Sequence, residues 1–548
     1  MNMKKVFTCG LCCALAAGML AGCSGSGGTN TAKTGGELIP TVTTDGTYPM
    51  DTDVELSYWL DLTPNIAAYA GSMNDIEFAK YMEEETGVKI KYVHPPAGQA
   101  TEKFNLMVAS QDLADIVESN WPTYKGGPSK AIKDKTILPL NEALDKDVSP
   151  NLKKFHEENP EIAAQIQTDD GEFYMYPFVT KDSILQTAMG FMVREDLLKK
   201  AGLDKPETIE DWEKMLAAFK DMGMKAPITL KLKNAELNNM SAFMGAYGIK
   251  SEFYLEGDTV KYGQYEKAYG DWVKMMKKWY DNGWLDSEFT NEDAKRIDAL
   301  VINGDAGAMG GWNGSAFGKW IAGMKTSLPE ASLTPVAYVA KNRGETPLIG
   351  HKQLPARGTG AAITSKCKNV EIAVRYLDYG FSEKGHMTYN FGREGVSYEM
   401  KDGKPTYTDL ITDTGKNGGL STSQAMSKYI RACYNGPFVQ DADYIMQMYT
   451  TPQQTEAMPI WANTQTEKYM MPLVTMTEEE NKEYTGIMTD IDVYREEMLF
   501  KFITGQEPIE KLDQYFEQLK SMKIERAIQI QQAAYDRYKK REAAAIAD

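Results

Sequence analysis

The chain has 548 residues, 42% of them hydrophobic, a formal net charge of −17 and only four histidines. Lys4 and Lys5 are the only charges among the first 22 residues, so the rest of the chain sits near −19. Acidity of this size argues against nucleic acid or anionic lipid as an electrostatic partner, and the length exceeds one hydrophobic core, so two or three lobes are expected.

After the two lysines an apolar run extends from about Val6 to Ala21. It is too short for a comfortable membrane-spanning helix and reads as a removable signal peptide, residues 1–22. Its end, "LAGC" (Leu20–Cys23), resembles the lipobox of bacterial lipoproteins. That resemblance implies that the Cys23 thiol receives a diacylglycerol and becomes the first residue of a protein anchored on the outer face of the cell membrane. Two or three acyl chains on one cysteine would hold it firmly. Residues 23–52, rich in Gly, Ser and Thr and without apolar periodicity, read as a flexible linker.

"VELSYWLDL" (Val54–Leu62) is a predicted first strand. "NDIEFAKYMEEETG" (Asn74–Gly87) is a helix with Asn74 as its N-cap and Gly87 at its end. "VKIKYV" alternates and is a strand, "QATEKFNLMVASQ" a helix and "ADIVESN" a third strand. The order β-α-β-α-β predicts a mainly parallel sheet, with ligands beyond the carboxyl ends of its strands. Further along, Thr208 caps a helix with Asp211 three residues on. "AYGDWVKMMKKWYDNGWLDSEF" is a long amphipathic helix, "SKCKNVEIAVRYLDYGFSEKG" another, capped near Asn369. The last 40 or so residues form a helical hairpin.

Beyond Cys23 only Cys367 and Cys433 remain, read as two buried free thiols, with a disulfide between them in an oxidising exterior as the alternative. His94, His156, His351 and His386 fall at no metal-ligand spacing. No HExxH, CxxC, calcium-loop, GxSxG or glycine-rich phosphate motif occurs downstream of the anchor. No catalytic residue, metal or cofactor is expected.

Three stretches, "FNLMVASQDLADIV", "CKNVEIAVRYLDYGFSEKGHMTYNFGREGVSYEMKDGKPTYT" and the closing "FITGQEPIEKLDQYFEQLKSMKIERAIQIQQAAYDRY", resemble the extracellular solute-binding protein family 1 in its large lipoprotein branch. The resemblance runs from about Val54 to Arg541. Gln111 and Ala114 stand where the family prefers Gly and Pro. The family comprises the binding components of ABC-type carbohydrate importers. It implies an α/β, two-lobed, periplasmic-binding-protein-like fold with discontinuous lobes and a multi-strand hinge. By analogy the first lobe holds residues 53–178 and 359–436, the second 179–358 and 437–548. "YPFVTKD", "LPARGTG" and "YNGPF" are the expected hinge strands. The implied partners are an oligosaccharide ligand, two membrane permease subunits and a cytoplasmic ATPase, with the binding protein itself a monomer.

A sugar site needs flat aromatic surface and planar polar side chains. Of nine tryptophans, Trp212, Trp272, Trp279 and Trp284 are read as packing. Trp59 and Trp121 end predicted strands, with Asn120 and Tyr124 beside Trp121. Trp312 sits among glycines beside Asn313, where a ligand can approach the backbone closely. Trp461 is placed in the second lobe by analogy, and Trp320 lies in a loop. Arg393 and Glu394 could bond hydroxyls bidentately. The bland alternative is burial for each tryptophan and a turn-holding ion pair for Arg393 and Glu394. A glycan-active hydrolase or lyase, a sensory or adhesion lipoprotein, and a binding protein for a non-sugar solute such as a peptide are the competing functions.

Overall fold

The structure, a computed structural model, describes residues 37–547 apart from 234, 433, 434 and 450. The signal segment, Cys23, linker residues 23–36 and Cys433 therefore lie outside the described residues. Cys367 is a buried free thiol. Burial, then the nearby Asp115 charge, pushes its pKa up to about 12.

Fourteen strands occur among the described residues: β1 Glu55–Trp59, β2 Lys89–Val93, β3 Ile116–Asn120, β4 Tyr176–Val179, β5 Met189–Arg194, β6 Ala226–Thr229, β7 Phe253–Glu256, β8 Thr259–Tyr262, β9 Ala306–Trp312, β10 Leu333–Val336, β11 Ala356–Ile363, β12 Tyr398–Lys401, β13 Lys404–Tyr407 and β14 Phe438–Val439. Ten form two sheets. One is six-stranded, in the order β14-β4-β11-β3-β1-β2, and one four-stranded, β10-β5-β9-β6. The pairs β7–β8 and β12–β13 are separate hairpins.

The β-α-β-α-β reading of residues 54–120 corresponds to β1, β2 and β3, with β2 and β3 both parallel to β1. Leu56 and Tyr58 alternate into the core. The crossover helices are Glu77–Thr86 and Ala100–Ser110. Gly87 ends the first at φ 76°, and a Cβ there would stand 2.1 Å from the Met50 carbonyl oxygen, so both backbone and space require glycine. Asn74 is not the cap. Its side chain instead bonds the Tyr92 backbone, accepting from the amide at 3.0 Å and donating to the carbonyl at 3.1 Å, and the α-helix begins at Glu77. Gln111, at the position where the family prefers Gly, adopts a left-handed φ of 56°. The Thr208–Asp211 capping box forms as its sequence predicts.

Two large cores follow the two sheets. One draws on Ile39–Val179 together with Ala356–Tyr389 and Phe438. The other draws on Met189–Val339 and returns with Ala457–Ala527. A third cluster, including Tyr81, Leu185, Phe391, Tyr429 and Met458, lies under the β12–β13 hairpin. The chain passes between the bodies three times: from β4 to β5, from β10 to β11, and from β14 to the helix Pro452–Ala462. β4, β11 and β14 lie side by side, β14 parallel and β11 antiparallel to β4.

The linker differs from expectation. Residues 37–52 are docked. The Leu38 and Ile39 amides donate to the Glu142 carboxylate, and those of Thr43 and Thr44 to Glu371. Ile39 and Met50 are buried, and Tyr48 packs edge-on against Tyr379. Polar composition concealed this, because the segment is held by backbone donors and three spaced apolar side chains rather than by periodicity.

Candidate ligand-binding cleft

A cleft of about 1240 Å³ opens between the two bodies. The six-stranded sheet contributes Trp59 at the end of β1, Asp61 and Asn65 after it, Glu118–Asn120 at the end of β3, and Phe104 and Asn105 from the intervening helix. These are the carboxyl ends of parallel strands, where an α/β sheet leaves a crevice. The opposite wall carries Trp312 at the end of β9, with Gly314, Ser315 and Gly318 behind it. The crossings supply Phe178, Gln353 and Arg357. Tyr444, Met448, Tyr449 and Met458 close the side.

Trp59, Asn120 and Trp312 thus lie on the cleft, on two different sheets. The other six expected residues do not. Trp121 is fully buried, donates to the Gly360 carbonyl at 3.3 Å and lies behind Phe104, which separates it from Trp59. Tyr124 is buried with its hydroxyl on Asp134 and Thr136. Asn313 is buried, its amide donating to the Gln454 carbonyl while Gln454 donates back to the Asn313 carbonyl, both at 2.9 Å. Trp461 is core. It packs against Gly190, where a Cβ would meet its ring at 2.1 Å. Arg393 stacks on Tyr81 and pairs with Glu84, and Glu394 joins a turn bridge to Tyr398. The two residues are not an ion pair with one another, but they hold surface structure as the bland alternative has it. Trp320, expected in a loop, is buried on the helix Gly318–Ser327.

Two cationic side chains shape the polar part of the cleft. Arg431 is buried on its floor and reaches Glu118 with one nitrogen at 2.8 and 3.0 Å. The Tyr58 hydroxyl donates to the same carboxylate at 2.8 Å. Arg357 lies over the Phe178 ring, 5.2 Å from its centroid, and donates to Gln353 Oε1 at 2.8 Å. Burial pushes its pKa below the usual guanidinium value. Phe104, Gln353 and Arg357 escaped the sequence reading. Arg357 belongs to the quoted hinge stretch "LPARGTG", and Phe104 to the first turns of a crossover helix, so strand-end logic extended to helix starts would have reached Phe104.

Behind the Trp312 platform stands His351, edge-on at 5.4 Å. Its Nδ1 accepts from the Ala188 amide at 3.2 Å, in the first crossing. Burial, aided by the Arg357 and Lys250 charges, lowers its pKa to about 3. Burial alone lowers that of His156 to about 4. Both rings stay neutral in the folded state, while the unfolded chain binds their protons below about pH 6.5. Stability is therefore lost as pH falls through that value. Glu236 acts in the opposite sense. Burial raises it to about 7, so it favours the folded state more strongly as pH falls from 7 toward 4.5. Two histidines against one carboxyl leave a net loss on the order of 1 kcal/mol per pH unit from these three groups as pH falls from 6.5 toward 4.5. His351→Gln should flatten the slope of unfolding free energy in that window by about the same amount. Urea titrations at four pH values check this, and an unchanged slope would mean the ring is not held neutral.

Residues 64–387 match the bacterial extracellular solute-binding protein family. The chain is similar to the fructooligosaccharide ABC transporter substrate-binding protein FusA of Streptococcus pneumoniae serotype 4, 23% identical over 490 residues covering 83% of this chain and 86% of that one. It is also similar to the lipoprotein LipO of Bacillus subtilis, 25% identical over 415 residues covering 71% and 73%. Among solved structures it superposes on the alginate-binding protein AlgQ2 without calcium ion, with a TM-score of 0.70, 27% identity and coverage of 89% and 98%. The fold is shared with S. pneumoniae FusA in complex with kestose, with a TM-score of 0.70, 21% identity and coverage of 89% and 100%. With more than half its length matched and the two-lobed α/β architecture in place, the chain belongs to the bacterial extracellular solute-binding proteins, a family of binding proteins and not of enzymes.

Proposed function

We propose that this protein is the membrane-anchored binding component of an ABC importer, which captures an oligosaccharide between two closing lobes and delivers it to two permease subunits driven by a cytoplasmic ATPase. The observation that carries the reading is the cleft itself. It places Trp59 of the six-stranded sheet and Trp312 of the four-stranded sheet on one cavity, with polar side chains between them. Two aromatic faces on separate bodies suit the apolar faces of a sugar chain. The relatives that bind fructooligosaccharide and alginate support the same cargo class. The two cores are taken as the two lobes, and the three crossings as the hinge about which they close. The protein is taken to act as a monomer.

Solution scattering tests the closure. Addition of a cognate oligosaccharide found on a glycan array should shrink the radius of gyration, and an unchanged radius at saturation would count against a closing mechanism. Anchoring is tested at Cys23, the expected lipidation site. Cys23→Ala should yield a protein that carries no lipid, either released or retained as the uncleaved precursor. Persistent labelling of that variant by a radioactive fatty acid would dispose of the lipoprotein reading.

A further inference from the structure

Three cationic side chains line the cleft, and two of them are neutralised within the protein. Arg431 is paired with Glu118, and Lys319 with Asp298 at 2.5 Å. Arg357 is different. Among the described residues no Asp or Glu pairs with it, and its hydrogen bond is to the neutral amide of Gln353. Asp61, the second carboxylate on the cleft wall beside Glu118, is exposed in the loop after β1. A partly buried cation without a counter-charge is costly, and it is the more conspicuous in a chain of net charge −17.

The side chain is also held ready. The Phe178 ring supports one face of the guanidinium, and Gln353 fixes one of its nitrogens. Both supports come from the crossings, Phe178 from β4 and Gln353 from the segment entering β11. A guanidinium has five donors, so most remain for a ligand. Its planar fork matches a carboxylate bidentately, and such charge-assisted bonds are about twice as strong as neutral ones.

We infer that Arg357 is the specificity-determining residue of the cleft and that the cargo is an oligosaccharide carrying a carboxylate, a uronic-acid unit seated on the Arg357 fork between the two lobes. The inference rests on the oligosaccharide reading and narrows it. A single unpaired guanidinium suits one singly charged group. A phosphate dianion would call on further free cations, and Lys319 and Arg431 are already engaged.

The test uses matched probes: oligogalacturonides and glucuronoxylo-oligosaccharides, each beside its carboxyl-reduced counterpart, titrated calorimetrically into the soluble body. One uronate probe should bind at least tenfold more tightly than its reduced form, with the difference shrinking at high salt. Arg357→Gln should weaken that probe by about tenfold to a hundredfold while changing the reduced form by less than about threefold. Arg357→Lys should recover part of the loss, since it keeps the charge without the fork. Thermal melts of both variants establish that they fold. Equal affinity for uronate and reduced probes overturns the inference, as does an equal loss on both in Arg357→Gln. So does a preference for a neutral or sulfated glycan on an array, and these outcomes leave the sugar-binding reading standing. Absence of binding to every glycan would remove that reading and the inference with it.

Discussion

Arg431→Met should lower the unfolding free energy of the first body by about 3–5 kcal/mol. The reason is the charge it would strand. Arg431 and Glu118 are separated by 313 residues in sequence, and both side chains are almost wholly buried, at 5% and 7% exposure. Glu118 accepts from Arg431 and from the Tyr58 hydroxyl. With the guanidinium gone, the Glu118 carboxylate on β3 would be left almost wholly buried with one hydroxyl for support. The double variant Glu118→Leu/Arg431→Met removes both charges and should recover most of the loss, since replacing a buried pair by apolar groups is often neutral or stabilising. Urea unfolding followed by tryptophan fluorescence checks both, with the two bodies treated as separate transitions. A single-variant loss below about 1 kcal/mol would mean that water reaches the pair and that it holds nothing together. The pair also matters to the site, because it fixes the end of β3 against the segment leading to β14, and both residues form the cleft floor.

Elements with local signals were legible in the sequence, and elements made by distant contacts were not. The alternation of "ELSYW" and "KIKYV", the Thr208 capping box and the Gly87 helix end are decisions made within a few residues, and each was readable. The Asn74 cap failed because a strand 18 residues away takes its side chain first. The docked strap at 37–52 was invisible because Glu142 and Glu371, which receive its amides, lie more than 100 residues downstream. The cleft shows the same divide. Strand-end position found Trp59 and Asn120, and glycine-flanked position found Trp312. The same rule misplaced Trp121, since one residue past the strand the chain turns into a short 3-10 helix and points the indole inward beneath Phe104. Nothing in the local sequence of Trp461 announces that Gly190, over 250 positions earlier, leaves it a slot in the core. Burial of an aromatic residue is a property of its partner, and one sequence does not name the partner.

Trp312→Ala should weaken oligosaccharide binding by about 2–4 kcal/mol, roughly thirtyfold to several hundredfold, with folding essentially intact. Trp312 is only partly buried, at the end of β9, so its truncation leaves the core of the second body packed. Its edge contact with His351 is lost, but the His351 bond to the Ala188 amide remains. Trp59 lines the same cleft from the other sheet, and under the proposed closure a sugar ring would touch both indoles as the bodies approach. Loss of Trp312 should therefore also reduce the ligand-induced compaction measured by scattering at a fixed ligand concentration, and restore it only at concentrations raised in proportion to the lost affinity. Trp121→Ala is the control. Its indole is wholly buried, so it should cost about 3–5 kcal/mol of stability and affect affinity only through the displaced Phe104 above it. The decisive comparison is calorimetric, made on both variants at a temperature where each remains folded. If Trp312→Ala binds like the wild type, the indole is a structural plug over His351 and the sugar is held elsewhere in the cleft. If Trp121→Ala loses affinity as strongly while its fold is unchanged, the aromatic layer behind Phe104 is part of the site after all.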